Sequence, residues 1–167
     1  MKVTIFKDVK LIKEANHIQL ETALSRIQNG RSKDLILEVR KGNKEKKLKL
    51  PVVCFSGEFS SRTDEGLFEH SGFIILDFDH VDVKATKTAL ATDDYIHSCW
   101  MSPSGDGVKA LVKITHPERH RDHFRALIAY FNRQHGLEVD ESGINESRAC
   151  FESYDPDLIV KDNYLKF

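Results

Sequence analysis

The chain has 167 residues, of which 40% are hydrophobic and 31% charged, and this composition is typical of a globular protein with its own core. No apolar run approaches the roughly 20 residues that cross a bilayer, and segment 1–7 lacks a signal-peptide pattern, so we expect no membrane partner and a cytoplasmic location. Three widely spaced cysteines argue for reduced thiols and against a structural zinc site.

The net charge of −1 conceals two oppositely charged parts of the chain. Residues 1–49 hold 13 basic and 6 acidic residues, whereas residues 50–167 hold 12 basic and 20 acidic ones. A basic segment beside an acidic one is typical of a protein that binds a polyanion near a metal centre. The lysines of 44–49, taken one by one, fit an exposed loop or edge strand equally well.

Hydrophobic periodicity predicts the elements in chain order. The first part reads as a strand at 2–6, a helix at 18–28, a helix from Ser32 to Gly42, a strand at 50–55 and a polar loop at 56–65. The second part reads as a strand at 73–79, a helix at 83–91, a strand at 95–101, a turn at 102–107, a strand at 108–114, a helix at 117–135, a loop at 140–148 and a strand at 149–154. This mixture predicts a single α+β domain, 1–167, in which an antiparallel or mixed sheet carries helices on one face.

The most informative stretch is 73–79, a hydrophobic strand that ends in two aspartates one residue apart. Because side chains alternate along a strand, Asp77 and Asp79 project from the same face. Two like charges at one strand end favour a divalent cation with oxygen ligands, Mg²⁺ or Mn²⁺, between them. The alternative is a strand that runs into an acidic surface turn, since Asp82 follows closely. The spacing alone does not choose between the two.

A glycine-rich turn at 102–107 is the second chemical signal. Gly105 and Gly107 allow backbone N–H groups to approach a ligand and form an anion-binding concavity. In the following strand Lys109 lies on the face opposite to a group of apolar residues: Val108, Ala110, Val112 and Ile114. If that group is core, Lys109 stands beside the turn and offers a charge to a phosphate. The alternative is a hairpin turn with two exposed lysines.

Weaker signals come later in the chain. Asp140 follows an apolar residue and is nearly uninformative alone. Arg148 precedes an apolar pair, so it either holds a phosphate bidentately or pairs with Asp155 or Asp157. A zinc cluster of histidines is not favoured, because no cysteine or acid completes a tetrahedron in sequence; its candidates are His116, His120 and His123.

The order of these pieces is similar to the three-motif catalytic core of the archaeo-eukaryotic primase superfamily. More closely, five segments over about residues 5–160 resemble the bacterial VirE N-terminal domain family, which is grouped with primase-polymerase proteins and is often joined to a helicase-like region. They are Leu50-Pro51, 55–59, 76–79, 102–109 and 147–151. The resemblance implies a two-layer primase-polymerase-like core at 50–160 with an RRM-like sheet, helices on one face and a basic N-terminal αβ extension at 1–49. The family's fusions also raise the expectation that the whole domain is excised from a longer helicase-fused protein.

The resemblance also implies residue roles. Asp77 and Asp79 would form the first metal motif and Asp140 would supply the third catalytic carboxylate. Lys109 occupies the position of the superfamily histidine that contacts the incoming triphosphate. The residues implied to bind the nucleotide phosphates are Ser104, Gly105, Gly107, Lys109 and Arg148.

The implied activity is a two-metal DNA primase or polymerase, a nucleotidyltransferase that replicates a mobile or plasmid-type element. Its partners would be nucleoside triphosphates, single-stranded or primed DNA and a fused or associated helicase. The lysine at the histidine position also suits a nucleic-acid-binding module that keeps the fold without the chemistry. A metal-dependent nuclease and a glycosyltransferase are the remaining alternatives. No aromatic pair stands at alternate strand positions, so binding by base stacking is not favoured.

Overall fold

The computed structural model describes residues 1–167 and contains ten strands and four α-helices. The strands are β1 Lys2–Phe6, β2 Asn16–Gln19, β3 Val52–Cys54, β4 Gly57–Phe59, β5 Leu67–His70, β6 Phe73–Phe78, β7 Ile96–Met101, β8 Val108–Lys113, β9 Cys150–Phe151 and β10 Ile159–Val160. The helices are α1 Leu20–Gln28, α2 Lys33–Arg40, α3 Val83–Thr92 and α4 His120–His135. The predicted α+β class is confirmed, and every strand pairing is antiparallel. None of the helices has the length and apolar character that crossing a membrane requires.

The central sheet has the strand order β10-β7-β8-β6. Both β6 and β7 run antiparallel to β8, which lies between them, so β6, α3 and β7 form a split β-α-β unit. The register places Asp77 of β6 directly opposite Lys109 of β8. This pairing brings together two residues that are 32 positions apart in the chain.

Both faces of the central sheet are covered, so the prediction of helices on one face only is wrong. On one face Ile74, Leu76 and Phe78 pack against apolar side chains of α3 and α4. On the other face Phe73 and Ile75 pack against α1 and the N-terminal sheet. The physical reason is the uninterrupted apolar run of β6, which requires burial on both sides. The sheet is therefore the middle of three layers.

The N-terminal layer is a sheet of order β2-β1-β3-β9 covered by α1. Helix α1 begins at Leu20, later than predicted, because Ile18 pairs with Val3 in the strand β2. Ser32 precedes α2 but does not cap it; its hydroxyl instead donates to the Glu152 carboxylate. The predicted polar loop at 56–65 also contains β4, which pairs with β5.

Residues 150–160, here called the C-terminal strap, join the two sheets. The strap pairs with β3 through β9 and with β7 through β10. Between these strands Glu152 is 1% exposed and accepts from Arg26 at 2.5 Å, while Asp155 is 1% exposed and accepts from Lys87 at 2.5 Å. The predicted strand at 149–154 is limited to two residues because the chain leaves one sheet to reach the other.

A pair of histidines, the half-buried His70 and the buried His120, ties the β5–β6 turn to α4. The Gly72 N–H donates to His70 Nδ1, so His70 Nε2 carries the proton that it donates to His120 Nδ1 at 3.0 Å. His120 is 3% exposed, and its Nε2 has no partner. Burial lowers the pKa of His120 to about 3 and also lowers the pKa of His70. Both rings are therefore neutral in the folded protein near pH 7.

The histidine pair predicts an acid-sensitive fold. In the unfolded chain both histidines titrate near their usual pKa of about 6.5, so below that pH the unfolded state binds more protons than the folded state. The free energy of unfolding should therefore fall as pH drops from about 6.5 towards 3, by about 1.4 kcal/mol per pH unit for each fully displaced histidine. Urea unfolding between pH 7 and 4.5 measures this slope. His120→Gln should flatten the slope, whereas the exposed control His116→Gln should not; equal slopes would contradict the assignment.

Candidate metal centre

Three predicted carboxylates meet at the end of β6. Asp77 is the penultimate residue of β6 and Asp79 follows the strand, so both lie at its carboxyl end. Asp140 arrives from the loop after α4, where its backbone N–H donates to the Asp77 carbonyl at 2.9 Å. One carboxylate oxygen from each aspartate lies within 4.8 Å of the other two. This is the one group of three or more acidic, cysteine or histidine side chains placed to share a metal ion.

The carboxylates have different electrostatic surroundings. Burial, together with the negative charges of Asp77 and Asp140, raises the pKa of Asp79. Burial acts in the same direction on Asp140, but hydrogen bonds from the Ser142 side chain and backbone, with the charge of Arg148, outweigh it and lower the pKa of Asp140. Asp77 Oδ1 is buried and has no hydrogen-bond partner. Crowded carboxylates with an unpartnered buried oxygen fit a divalent cation that prefers oxygen ligands.

Lys109 lies within the carboxylate group and not at the open phosphate position that the sequence suggested. It is 8% exposed, and its Nζ donates to Asp77 Oδ2. Burial alone would lower the pKa of Lys109, and Cys150 and Asp77 oppose that effect so that the pKa is raised. Because burial raises the pKa of the Cys150 thiol to about 11, the thiol is neutral near pH 7, and Asp77 is the charge that keeps Lys109 protonated.

Arg148 also contacts the carboxylates. Its Nη2 lies 3.0 Å from Asp140 Oδ2 and 3.7 Å from Asp77 Oδ2. The suggested pairing of Arg148 with Asp155 or Asp157 is wrong, because Arg148 pairs with Asp140 and Asp77, while Asp155 pairs with Lys87. Arg148 therefore connects two of the three aspartates and also lines the cavity into which they open.

The glycine turn has a structural role that differs from the predicted anion cradle. The N–H of Gly105 donates to the Ser102 carbonyl at 3.0 Å, and the N–H of Gly107 donates to Ser102 Oγ at 3.1 Å, so neither is free for a phosphate. A Cβ at position 107 would lie 2.7 Å from the Phe78 carbonyl. Gly107 thus lets the turn pass close to the end of β6. Ser104 is exposed and lines the cavity.

The aspartates open into a polar cavity of about 500 Å³ between the N-terminal layer and the central sheet. Sequence reasoning missed two basic residues in its wall, Lys47 and Arg62. Lys47 lies over the Phe151 ring at 5.3 Å, and Arg62 Nη2 donates to the Val9 carbonyl at 2.5 Å, so neither pairs with a carboxylate. The run of lysines at 44–49 was a signal for Lys47, but nothing local in the sequence marked Arg62.

Comparison with known proteins gives a family and no close relative. The family model described as BT4734-like, N-terminal domain, matches residues 45–159, which is more than two thirds of the chain. The chain belongs to the BT4734-like N-terminal domain family. No curated protein and no solved structure gives a significant match.

This membership corrects the resemblance to the VirE N-terminal domain family and the primase-polymerase superfamily, since the matching family is a different one. Roles that rested on that resemblance alone, such as Lys109 at a histidine position, lose their basis. The proximity of Asp77, Asp79 and Asp140 does not depend on that resemblance, because one oxygen from each carboxylate lies within 4.8 Å of the others in the folded chain. The helicase partner and the mobile-element context remain predictions.

The BT4734-like domain does not assemble the histidine cluster considered for zinc. His120 is directed at His70, and His116 stacks on His123 with ring centroids 6.2 Å apart. These histidines do not join any group that could share a metal ion. The sheet face that an RRM-like module would use for base stacking is buried under the N-terminal layer, with Phe73 and Trp100 both at 0% exposure.

Proposed function

We propose that this BT4734-like domain is a metal-dependent nucleotidyltransferase that adds nucleotides to a DNA strand, as a primase or polymerase does. The observation that carries the proposal is the meeting of three carboxylates and unpaired basic side chains in one cavity. Phosphoryl chemistry needs both: oxygen ligands for a divalent cation and positive charge for the phosphates. Mg²⁺ or Mn²⁺ is the proposed cofactor.

Asp77, Asp79 and Asp140 are the proposed ligands. A divalent ion bound there supplies charge compensation at the α-phosphate and lowers the pKa of the attacking 3′-hydroxyl. The unpartnered Asp77 Oδ1 and the raised pKa of Asp79 support this role, because a cation relieves both. The hydrogen bonds from Ser142 hold Asp140 ionised and orient it towards Asp77.

Lys47 and Arg62 are the proposed triphosphate contacts. Both line the cavity, and neither is neutralised by a carboxylate, in contrast to Lys109 and Arg148. Ser104 at the cavity rim offers a hydroxyl donor. In this proposal Lys47 and Arg62 supply the phosphate-binding charge that the sequence assigned to Lys109.

The N-terminal layer also offers a path for a DNA backbone. A second cavity, of about 610 Å³, is lined by basic residues of the segment 1–49: Lys7, Arg26, Arg31, Lys33 and Lys49. Lys47 and Lys49 belong to one 3₁₀ helix, Lys44–Lys49, and line the first and the second cavity respectively. Because the two cavities share this helix, a DNA strand could run from the second cavity to the first and end at the three aspartates. The proposed partner on this path is single-stranded or primed DNA.

The split β-α-β unit supports an RRM-like interpretation of the central sheet. The chain order β6-α3-β7-β8-α4 follows the first five elements of the β-α-β-β-α-β motif, after which β9 joins the N-terminal sheet before β10 returns to the central one. The short β10 pairs with β7. The strand pair β6 and β8 places Asp77 opposite Lys109 at the proposed catalytic position, and the loop after α4 adds Asp140.

Labelled nucleotides with primed and unprimed single-stranded DNA, with Mg²⁺ or Mn²⁺, test the proposal. Lengthening of a primer is the expected result, and synthesis on unprimed template would identify a primase. Shortening of the strand would identify a nuclease. Strand binding that weakens steeply with salt but gives neither product would identify a binding module without catalysis and would overturn the proposal.

Lys47→Met should weaken the binding of the nucleoside triphosphate more than it slows the chemical step. Loss of one phosphate-facing charge is expected to raise KM for the nucleoside triphosphate about tenfold, with a smaller change in kcat. Lys44→Met, on the same 3₁₀ helix but outside both cavities, is the matched control. Equal KM values for the two variants would contradict the assignment of Lys47.

A further inference from the structure

Lys109 is held against Asp77 by the sheet itself. The two residues are directly opposed in the β6–β8 register, and on the other side of β8 Lys109 is opposite the fully buried Trp100. Directly opposed side chains on one face of a sheet are neighbours by geometry. The Lys109 ammonium is therefore held within the cluster of three aspartates and is not free to move to a substrate.

The two protein cations occupy one side of the aspartate group. Asp77 Oδ2 accepts from Lys109 and also lies 3.7 Å from Arg148 Nη2. Asp140 Oδ2 accepts from Arg148 at 3.0 Å and from Ser142 Oγ at 2.7 Å. These oxygens already have positively charged or hydrogen-bonding partners.

The remaining oxygens point to a different partner. Asp77 Oδ1 is buried and unpartnered, Asp140 Oδ1 accepts only the backbone N–H of Ser142 at 3.0 Å, and the exposed Asp79 receives no hydrogen bond from the protein. One oxygen from each residue lies within 4.8 Å of the others, which suits a single ion. If Asp77 and Asp79 both bridged two ions about 3.5–4 Å apart, each would need both of its carboxylate oxygens free. Asp79 meets this condition, but Asp77 has only Oδ1 free, because its Oδ2 accepts from Lys109.

We propose that Lys109 takes the place of one of the two divalent ions, so that the domain holds a single ion through Asp77 Oδ1, Asp79 and Asp140. This inference rests on the proposed metal-dependent function and revises the two-metal mechanism expected from the sequence. The three carboxylates with Lys109 and Arg148 carry a net charge of −1, so one divalent ion makes the group positive towards a triphosphate. A second ion would have to compete with a buried ammonium for Asp77 Oδ2. Lys109 is thus a positioning residue that acts through Asp77.

Binding of Mn²⁺ alone tests the inference without any turnover. Isothermal titration calorimetry on the whole 167-residue chain should show one bound Mn²⁺ per chain, and electron paramagnetic resonance should show no spin coupling between ions. Lys109→Met, which keeps the length of the side chain and removes its charge, should admit a second, spin-coupled Mn²⁺ or bind the first at least tenfold more tightly. Lys113→Met, four residues further along β8 on the same face, is the matched control and should leave both quantities unchanged.

The outcomes separate the inference from the function on which it rests. Two Mn²⁺ ions on the wild-type chain, or an unchanged affinity and stoichiometry in Lys109→Met, would overturn the inference and leave the metal-dependent function intact. No bound Mn²⁺ on the wild-type chain would overturn both. If Lys109→Met does not fold, the ¹⁵N resonance of the Lys109 ammonium decides, since it should keep its hydrogen bond to Asp77 at saturating Mg²⁺; its release would overturn the inference.

Discussion

Asp79→Asn is expected to reduce metal-dependent nucleotide incorporation on the order of a thousandfold. Asp79 is the exposed member of the three-carboxylate group and makes no ion pair with the protein, so its substitution removes a ligand without breaking a buried contact. Asp77→Asn would be less informative, because it would also leave the buried Lys109 without its partner. Incorporation of a labelled nucleotide into a primed strand measures the effect.

The same variant should not lose stability. Burial and two neighbouring carboxylates raise the pKa of Asp79, so in the absence of metal its ionised form is disfavoured, and the amide should stabilise the fold near pH 7 by up to about 1 kcal/mol after solvent screening. Asp94→Asn, an exposed aspartate between α3 and β7, is the control and should change neither quantity. Full activity in Asp79→Asn would exclude the proposed centre, and a large loss of stability would mean that the activity loss reflects misfolding.

Lys87→Met is expected to destabilise the fold by about 3–5 kcal/mol, the usual effect of leaving a buried charge without its partner. Lys87 of α3 donates to Asp155 at 2.5 Å, and the Asp155 side chain is only 2% exposed. The methionine fills similar space but leaves Asp155 with only backbone N–H donors, from Met101 and Asp157. Urea unfolding should report the loss, and the midpoint of thermal unfolding should fall by roughly 10 °C.

The position of Asp155 explains the size of this effect. It lies in the C-terminal strap between β9 and β10, where it fixes the strap to α3 and β7. Lys84→Met, one turn earlier on the exposed side of α3, removes the same charge and should change the free energy of unfolding by less than about 0.5 kcal/mol. If both variants unfold at the same urea concentration, the strap is not held by this ion pair.

The C-terminal strap also connects stability with the candidate site. Its first strand, β9, places Phe151 beneath Lys47, and Arg148 lies two residues before β9. Two walls of the cavity therefore come from the N-terminal layer and from the segment that leads into the strap. The cavity exists only when the two layers are joined, which gives the N-terminal layer a direct part in the proposed function.

Local pattern was sufficient for most of the elements. The helix at 117–135 appears as the 3₁₀ turn Pro117–Arg119 followed by α4, and it ends at Gly136 with φ at 65° as a left-handed cap requires. Its periodicity is a property of neighbouring residues. The missed elements are short strands such as β2 and β10, whose pairing depends on distant partners and leaves little trace in four or two residues.

The sequence by itself determined that Asp77 and Asp79 stand at the end of a buried strand, because the apolar run and the two-residue period are local. Only the tertiary structure decided what surrounds them. Strand register opposed Lys109 to Asp77, and a backbone hydrogen bond brought Asp140 beside them. The layer contact that adds Lys47 and Arg62 to the cavity joins segments that have no common pattern in the chain. The physical reason is that both faces of β6 are buried against segments distant in the chain, and this packing determines which of those segments meet at the carboxylates.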